Sequence, residues 1–186
     1  MCDTLAPAFV DAAGRPWVKV GAAPISLDAE FWRDLRWWHK HIVTRNSAPI
    51  HPWLSQDATL DVGTDASDEA GGAVIRLGFG AAEVRVDWSE WESVQSSNWR
   101  ELCMCWWVID LLGDSLARKR VRFALDNAVS VGIIKNGTSK SPKLMALVRR
   151  LYLLSALEDF IVSPWWVQGK MHLRCDGISR YNVLIF

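Results

Sequence analysis

The run Leu60-Asp61-Val62-Gly63-Thr64-Asp65-Ala66-Ser67 decides how this chain is read. Leu60, Val62 and Thr64 alternate with polar or small residues, the two-residue period of a strand with one buried face. The strand ends on a carboxylate, Asp65. Gly71-Gly72 then opens a second strand, Ala73 to Leu77, and Gly78 to Gly80 makes a turn. Val84, Val86 and Trp88 alternate in a third. Three strands so closely spaced predict an antiparallel meander.

Downstream, the period changes. Ser96-Ser97-Asn98 caps a helix carrying Leu102, Trp106, Ile109 and Leu112 on one face. Val121 to Leu125 is a short apolar strand, and it too ends on a carboxylate, Asp126. A helix from about Ala128 stops near Gly137. Pro142 suits the first turn of the next, which shows Leu144, Leu147, Leu151 and Leu154 on one face. Phe160 to Val167 reads as a fifth strand, and Pro164 assigns it to a sheet edge. A last helix spans about His172 to Arg180. The order β-β-β-α-β-α-α-β-α predicts an α/β fold, a five-stranded mixed sheet flanked by helices.

Upstream, Pro7, Pro16 and Pro24 mark residues 1–24 as an irregular leader. Residues 25–56 hold a helix and a linker, with Ser26 as N-cap and Leu27, Phe31, Leu35, Trp38 and Ile42 on one stripe. Residues 57–180 form the main domain, and 181–186 a tail.

The 186 residues are 50% hydrophobic, so composition suits an ordered core. No apolar run reaches the length of a membrane span, and residues 1–15 lack the pattern of a secretory signal. Cys2, Cys103, Cys105 and Cys175 form no CxxC pair, which predicts free thiols in a reducing, intracellular compartment, cytoplasmic or nuclear. Net charge is zero, but its distribution is uneven. Residues 1–117 carry 9 Lys+Arg against 17 Asp+Glu; residues 118–186 carry 12 against 4. A basic surface beside an acidic site would give that asymmetry.

Four carboxylates stand at particular points of this order: Asp65 and Asp126 at strand ends, Glu101 in the first turn of a helix, Asp176 in the last helix. Strand ends and helix starts can meet at one sheet edge, where four carboxylates repel unless cations neutralise them. Oxygen-only ligands select hard ions, Mg²⁺ or Mn²⁺. Two such ions about 4 Å apart can activate water and stabilise the leaving oxygen of a phosphodiester. Asp65 is the natural bridge between them.

Four motifs in order carry a resemblance. They are Thr64-Asp65-Ala66-Ser67 with following glycines, Ser96-Ser97-Asn98-Trp99-Arg100-Glu101-Leu102, Leu125-Asp126-Asn127, and Gly169-Lys170 followed by Asp176-Gly177-Ile178-Ser179-Arg180. Together they resemble the ribonuclease H domain of retroelement reverse transcriptases, DIRS-like and Gypsy-like groups above all, over about residues 57 to 180. The segment Asn136 to Pro142 resembles the stretch after the third acidic residue in these elements. Asp34-Leu35-Arg36-Trp37-Trp38 is similar to the connection preceding the domain.

The resemblance implies a ribonuclease H-like fold and a magnesium-dependent hydrolase, an endonuclease cutting the RNA strand of RNA–DNA hybrids. It implies Asp65, Glu101, Asp126 and Asp176 as catalytic metal ligands, with Asp65 bridging, Asp176 completing one site, and Glu101 with Asp126 the other. Ser67, Ser97, Asn98 and Asn127 become substrate-binding candidates, touching the RNA strand and its 2′-hydroxyls. The polymerase part of a reverse transcriptase is the implied protein partner. There is no Tyr-x-Asp-Asp signature, so this chain is not a complete reverse transcriptase. Where the family has Val-Pro-Gly-x-x-Asn, this chain reads Val167-Gln168-Gly169-Lys170-Met171-His172, and position 166 is Trp where cellular relatives carry His. A competing expectation is a catalytically decayed or domesticated nucleic-acid-binding module; a transposase or integrase core is disfavoured by the Ile-Ser-Arg ending.

Overall fold

In a computed structural model, which describes residues 29–45, 59–169 and 172–180, the opening run is strand β1, Thr59–Ala66. It pairs antiparallel with β2 (Ala70–Leu77), which pairs antiparallel with β3 (Gly80–Asp87). Strand β4 (Arg120–Leu125) lies parallel to β1, and β5 (Ile161–Trp166) parallel to β4. The sheet order is β3-β2-β1-β4-β5. The mixed sheet expected from the sequence is present, and β5, with its Pro164, is an edge strand.

Two compact units divide the chain, residues 1–46 and 47–186. In the first, helix α1 spans Ala29–Arg45 and leaves Phe31, Trp32, Leu35 and Trp38 exposed. The expected Ser26 cap, the leader 1–24, the linker before β1 and the tail 181–186 lie outside the described residues.

In the second unit, a short helix α2 (Glu90–Ser93) precedes α3 (Ser97–Leu112). Sequence reading passed over α2, although Ser89 and Glu92 form a capping box, each side chain bonding the other's backbone N–H. Ser96 caps α3, and a 3-10 turn (Gly113–Leu116) leads to β4. Helices α4 (Ala128–Asn136) and α5 (Pro142–Leu157) come next, Gly137 ending α4 in the left-handed conformation at φ 63°. After β5 comes α6, Leu173–Arg180.

Val62, Ile75, Phe123 and Leu125 face a core completed by α3 and α5. The expected single apolar face of α3 understates it: Cys103, Met104, Cys105 and Val108 are buried as well. Packed between the sheet and α5, this helix is buried on most of its sides. The three described thiols, Cys103, Cys105 and Cys175, are free and buried, and burial pushes each up to about 12. They are packing groups.

On the other face lies α6, over β1 and β2, with Val74, Cys175 and Ile178 packed together. Two glycines allow that approach. A Cβ on Gly72 would come within 2.7 Å of the Cys175 carbonyl and 2.8 Å of the Ser179 amide. One on Gly63 would strike the Cys175 sulfur at 2.8 Å. Among the described residues no helix is long and apolar enough to cross a membrane.

Candidate metal centre

Parallel pairing sets β1 and β4 side by side, with Gly63 opposite Ala124, so Asp65 and Asp126 leave the same edge of the sheet. Helix α3 packs on β1 and brings up Glu101. It is the fifth residue of that helix, one beyond the first turn expected for it. One carboxylate oxygen from each of Asp65, Glu101 and Asp126 lies within 4.8 Å of the others. Asp65 and Glu101 are buried, and Asp126 is the more open of the three.

Asp176 does not join that group. Its Oδ1 accepts from Arg180 Nε at 2.5 Å, one helical turn on, and its side chain is 41% exposed. The charge still reaches the cluster, because Asp176 is among the influences raising Asp65. Convergence of all four, as expected from the sequence, is thus three plus a neighbour. The local ion pair holds the fourth.

Burial pushes the Asp65 carboxyl up, reinforced by Asp126 and Asp176 and opposed by a hydrogen bond from Ser179. Glu101 is pushed up to about 8, first by burial and then by the charges of Asp126 and Asp65. Its Oε2 is buried without a hydrogen-bond partner. An orphaned carboxylate oxygen among three converging acids suits a hard divalent cation, which would supply both a ligand bond and the missing charge.

Stability should therefore depend on pH. Between pH 4.5 and 8 the unfolded chain releases the Glu101 proton that the folded protein keeps, so this group's contribution to stability falls as pH rises. In chelator, parent protein should lose several degrees of melting temperature relative to Glu101→Gln across that range, and Mg²⁺ should restore it. Parallel melting curves for the two proteins would refute the assignment.

The substrate-binding candidates fall in different settings. Ser97 is exposed at the start of α3. Asn127 accepts from the Val129 and Ser130 amides, capping α4, and donates to Asn98 Oδ1 at 2.7 Å. These two asparagines therefore tie α3 to α4 beside the carboxylates. Ser67 sits in the β1–β2 turn, its hydroxyl 3.1 Å from the Ala70 carbonyl and 2.7 Å from that of Ser179. These bonds brace the turn against α6.

Sequence reading also missed some supporting groups. His172 is 5% exposed, and its ring Nε2 lies 2.8 Å from the Thr64 carbonyl, pinning the start of α6 to β1. Arg85 of β3 donates to the carbonyls of Ile178 and Ser179 at the other end of α6. A cation on the last carbonyls of a helix is favourable. Buried Arg100 pairs with Asp68 and donates to the Ser93 and Gln95 carbonyls, fixing the α2–α3 corner next to Glu101. Spacing gave one usable signal: Ser179 comes three residues after Asp176, on the same helix face.

No family model and no curated protein match the chain. Solved structures do. Ribonuclease H1 from the halophilic archaeon Halobacterium salinarum NRC-1 matches with TM-score 0.54 at 18% identity, over 64% of this chain and 93% of that one. LC11 ribonuclease H1, solved in complex with an RNA/DNA hybrid, gives 0.53 at 15% identity, over 64% and 92%. The N-terminal ribonuclease H domain of a Mycobacterium tuberculosis protein gives 0.53 at 15%, over 65% and 90%. The chain has the ribonuclease H fold.

Proposed function

We propose that this chain is a metal-dependent nuclease of ribonuclease H type, retroelement-derived, that hydrolyses the RNA strand of RNA–DNA hybrids. The observation carrying this reading is the cluster of Asp65, Glu101 and Asp126, with oxygens within 4.8 Å and the buried Glu101 Oε2 unpartnered. Asp65, Glu101 and Asp126 would hold Mg²⁺ or Mn²⁺, and Asp176 beside Asp65 would help hold a second ion. When bound, such ions activate water and stabilise the leaving oxygen of a phosphodiester. The protein's own part is positioning. β1 and β4 fix two carboxylates, α3 fixes the third, and Ser97, Asn98 and Asn127 flank them where an RNA strand would lie, its 2′-hydroxyls within their hydrogen-bonding repertoire.

Hybrid as substrate is supported by the LC11 relative of the same fold, which binds one. Retroelement origin, and a polymerase as partner, rest on the Asp176-Gly177-Ile178-Ser179-Arg180 ending and on the Asp34 to Trp38 segment. One observation favours a second reading, a binding module that no longer cleaves: Asp176 is engaged by Arg180 rather than free.

A labelled hybrid separates the two. Purified protein should cut only the RNA strand, with Mg²⁺ or Mn²⁺, and stop in chelator. Hybrid binding without cleavage in either metal would replace the enzyme with the binding module.

A further inference from the structure

Asp65 is buried at a strand end and faces other carboxylates. We infer that Ser179 is the residue that sets its orientation, a positioning residue of the metal centre. The inference rests on the metal centre proposed above and extends it to a residue outside the ligand set.

Ser179 is fully buried, and its Oγ lies 2.5 Å from Asp65 Oδ2 and 3.0 Å from the Asp176 carbonyl. A hydroxyl has one proton, and the shorter, charge-assisted contact takes the larger share of it. One oxygen of Asp65 is therefore committed, and the carboxylate cannot swing freely about its last bond. What remains for a cation is a defined edge of the group.

The serine can do this because it is itself fixed. Its carbonyl accepts from the Ser67 hydroxyl at 2.7 Å and from Arg85 Nη1 at 3.1 Å, and the same Arg85 nitrogen reaches the Ile178 carbonyl at 2.6 Å. Gly72 lies against its amide, where a Cβ would approach to 2.8 Å. Ser67, Arg85 and Gly72 belong to the β1–β2 turn, β3 and β2. Three segments of the sheet thus fix one hydroxyl, and the hydroxyl fixes the carboxylate. Partners that orient a metal ligand in this way typically contribute about 10–100-fold in metal affinity.

The test is a calorimetric Mn²⁺ titration of the full chain, well below the melting temperature, with parent, Ser179→Ala and Ser179→Cys. Thermal melting in chelator shows which proteins are folded. Ser179→Cys keeps nearly the same shape but offers only a weak donor, so it serves if Ser179→Ala does not fold. Both variants should bind Mn²⁺ about tenfold more weakly, or worse, while melting cooperatively. Parent-like affinity in either folded variant overturns the inference, since a merely structural serine would alter melting alone. Failure of both variants to fold overturns it too, making Ser179 a folding residue. A parent that binds no Mn²⁺ would instead remove the metal centre itself, and this role with it.

Discussion

Asp126→Asn should abolish Mg²⁺-dependent cleavage of a hybrid, with a loss of more than about a hundredfold, the scale that even the partners of metal ligands can reach. The substitution keeps the shape of the side chain and removes one charge from a cluster whose oxygens lie within 4.8 Å. What it removes is a grip on a cation, and that grip acts on the chemical step more than on substrate binding. Hybrid affinity should stay equal or rise, because a negative charge that would face phosphates is gone. Asp126 is also one of the two charges raising Glu101, so the variant relieves strain in the metal-free protein and should not melt lower. The measurement pairs a cleavage time course with a binding titration. Equal cleavage by parent and variant would place the activity elsewhere or in a contaminant.

Much of this site was legible because its anchors are local. Asp65 and Asp126 each end an apolar strand, and an alternating run that stops on an acid is visible without coordinates. The meander came from spacing, since short turns enforce antiparallel pairing, and the helices between later strands marked the sheet as mixed. Asp176 was harder. Its position in the chain matched the motif, but its carboxylate pairs with the i,i+4 partner Arg180, and a motif does not rank an ion pair against a metal. The bonds made by His172, Arg85 and Ser67 were opaque for a different reason. Each acts on a carbonyl of a distant segment, and backbone acceptors leave no mark in a sequence. The helix α3 misled in a third way, because a helix buried on most of its sides has no single face for a period to report.

The second large effect concerns stability. Phe123→Ala should cost about 3–5 kcal/mol, the range for emptying a buried aromatic position. Phe123 has no exposed surface and sits mid-strand in β4, opposite Val62 of β1 and Pro164 of β5. Against a total of about 5–15 kcal/mol that loss threatens the fold, and it strikes the strand that carries Asp126. Urea unfolding should show a much lower midpoint with an unchanged slope. Phe79→Ala is the contrast, at the fully exposed tip of the β2–β3 hairpin. It should fall within about 0.5 kcal/mol of the parent. A midpoint for Phe123→Ala close to that of Phe79→Ala would mean that β4 is not the centre of the core.

The contact between Ser179 and Asp65 joins residues 114 apart in the chain. Closing a loop of that span costs more chain entropy than closing the short turns of the meander. In chain order the meander with Asp65 comes first, Glu101 and Asp126 follow with α3 and β4, and α6 with Ser179 comes last. The hydroxyl that holds Asp65 is thus the last of these groups to leave the ribosome.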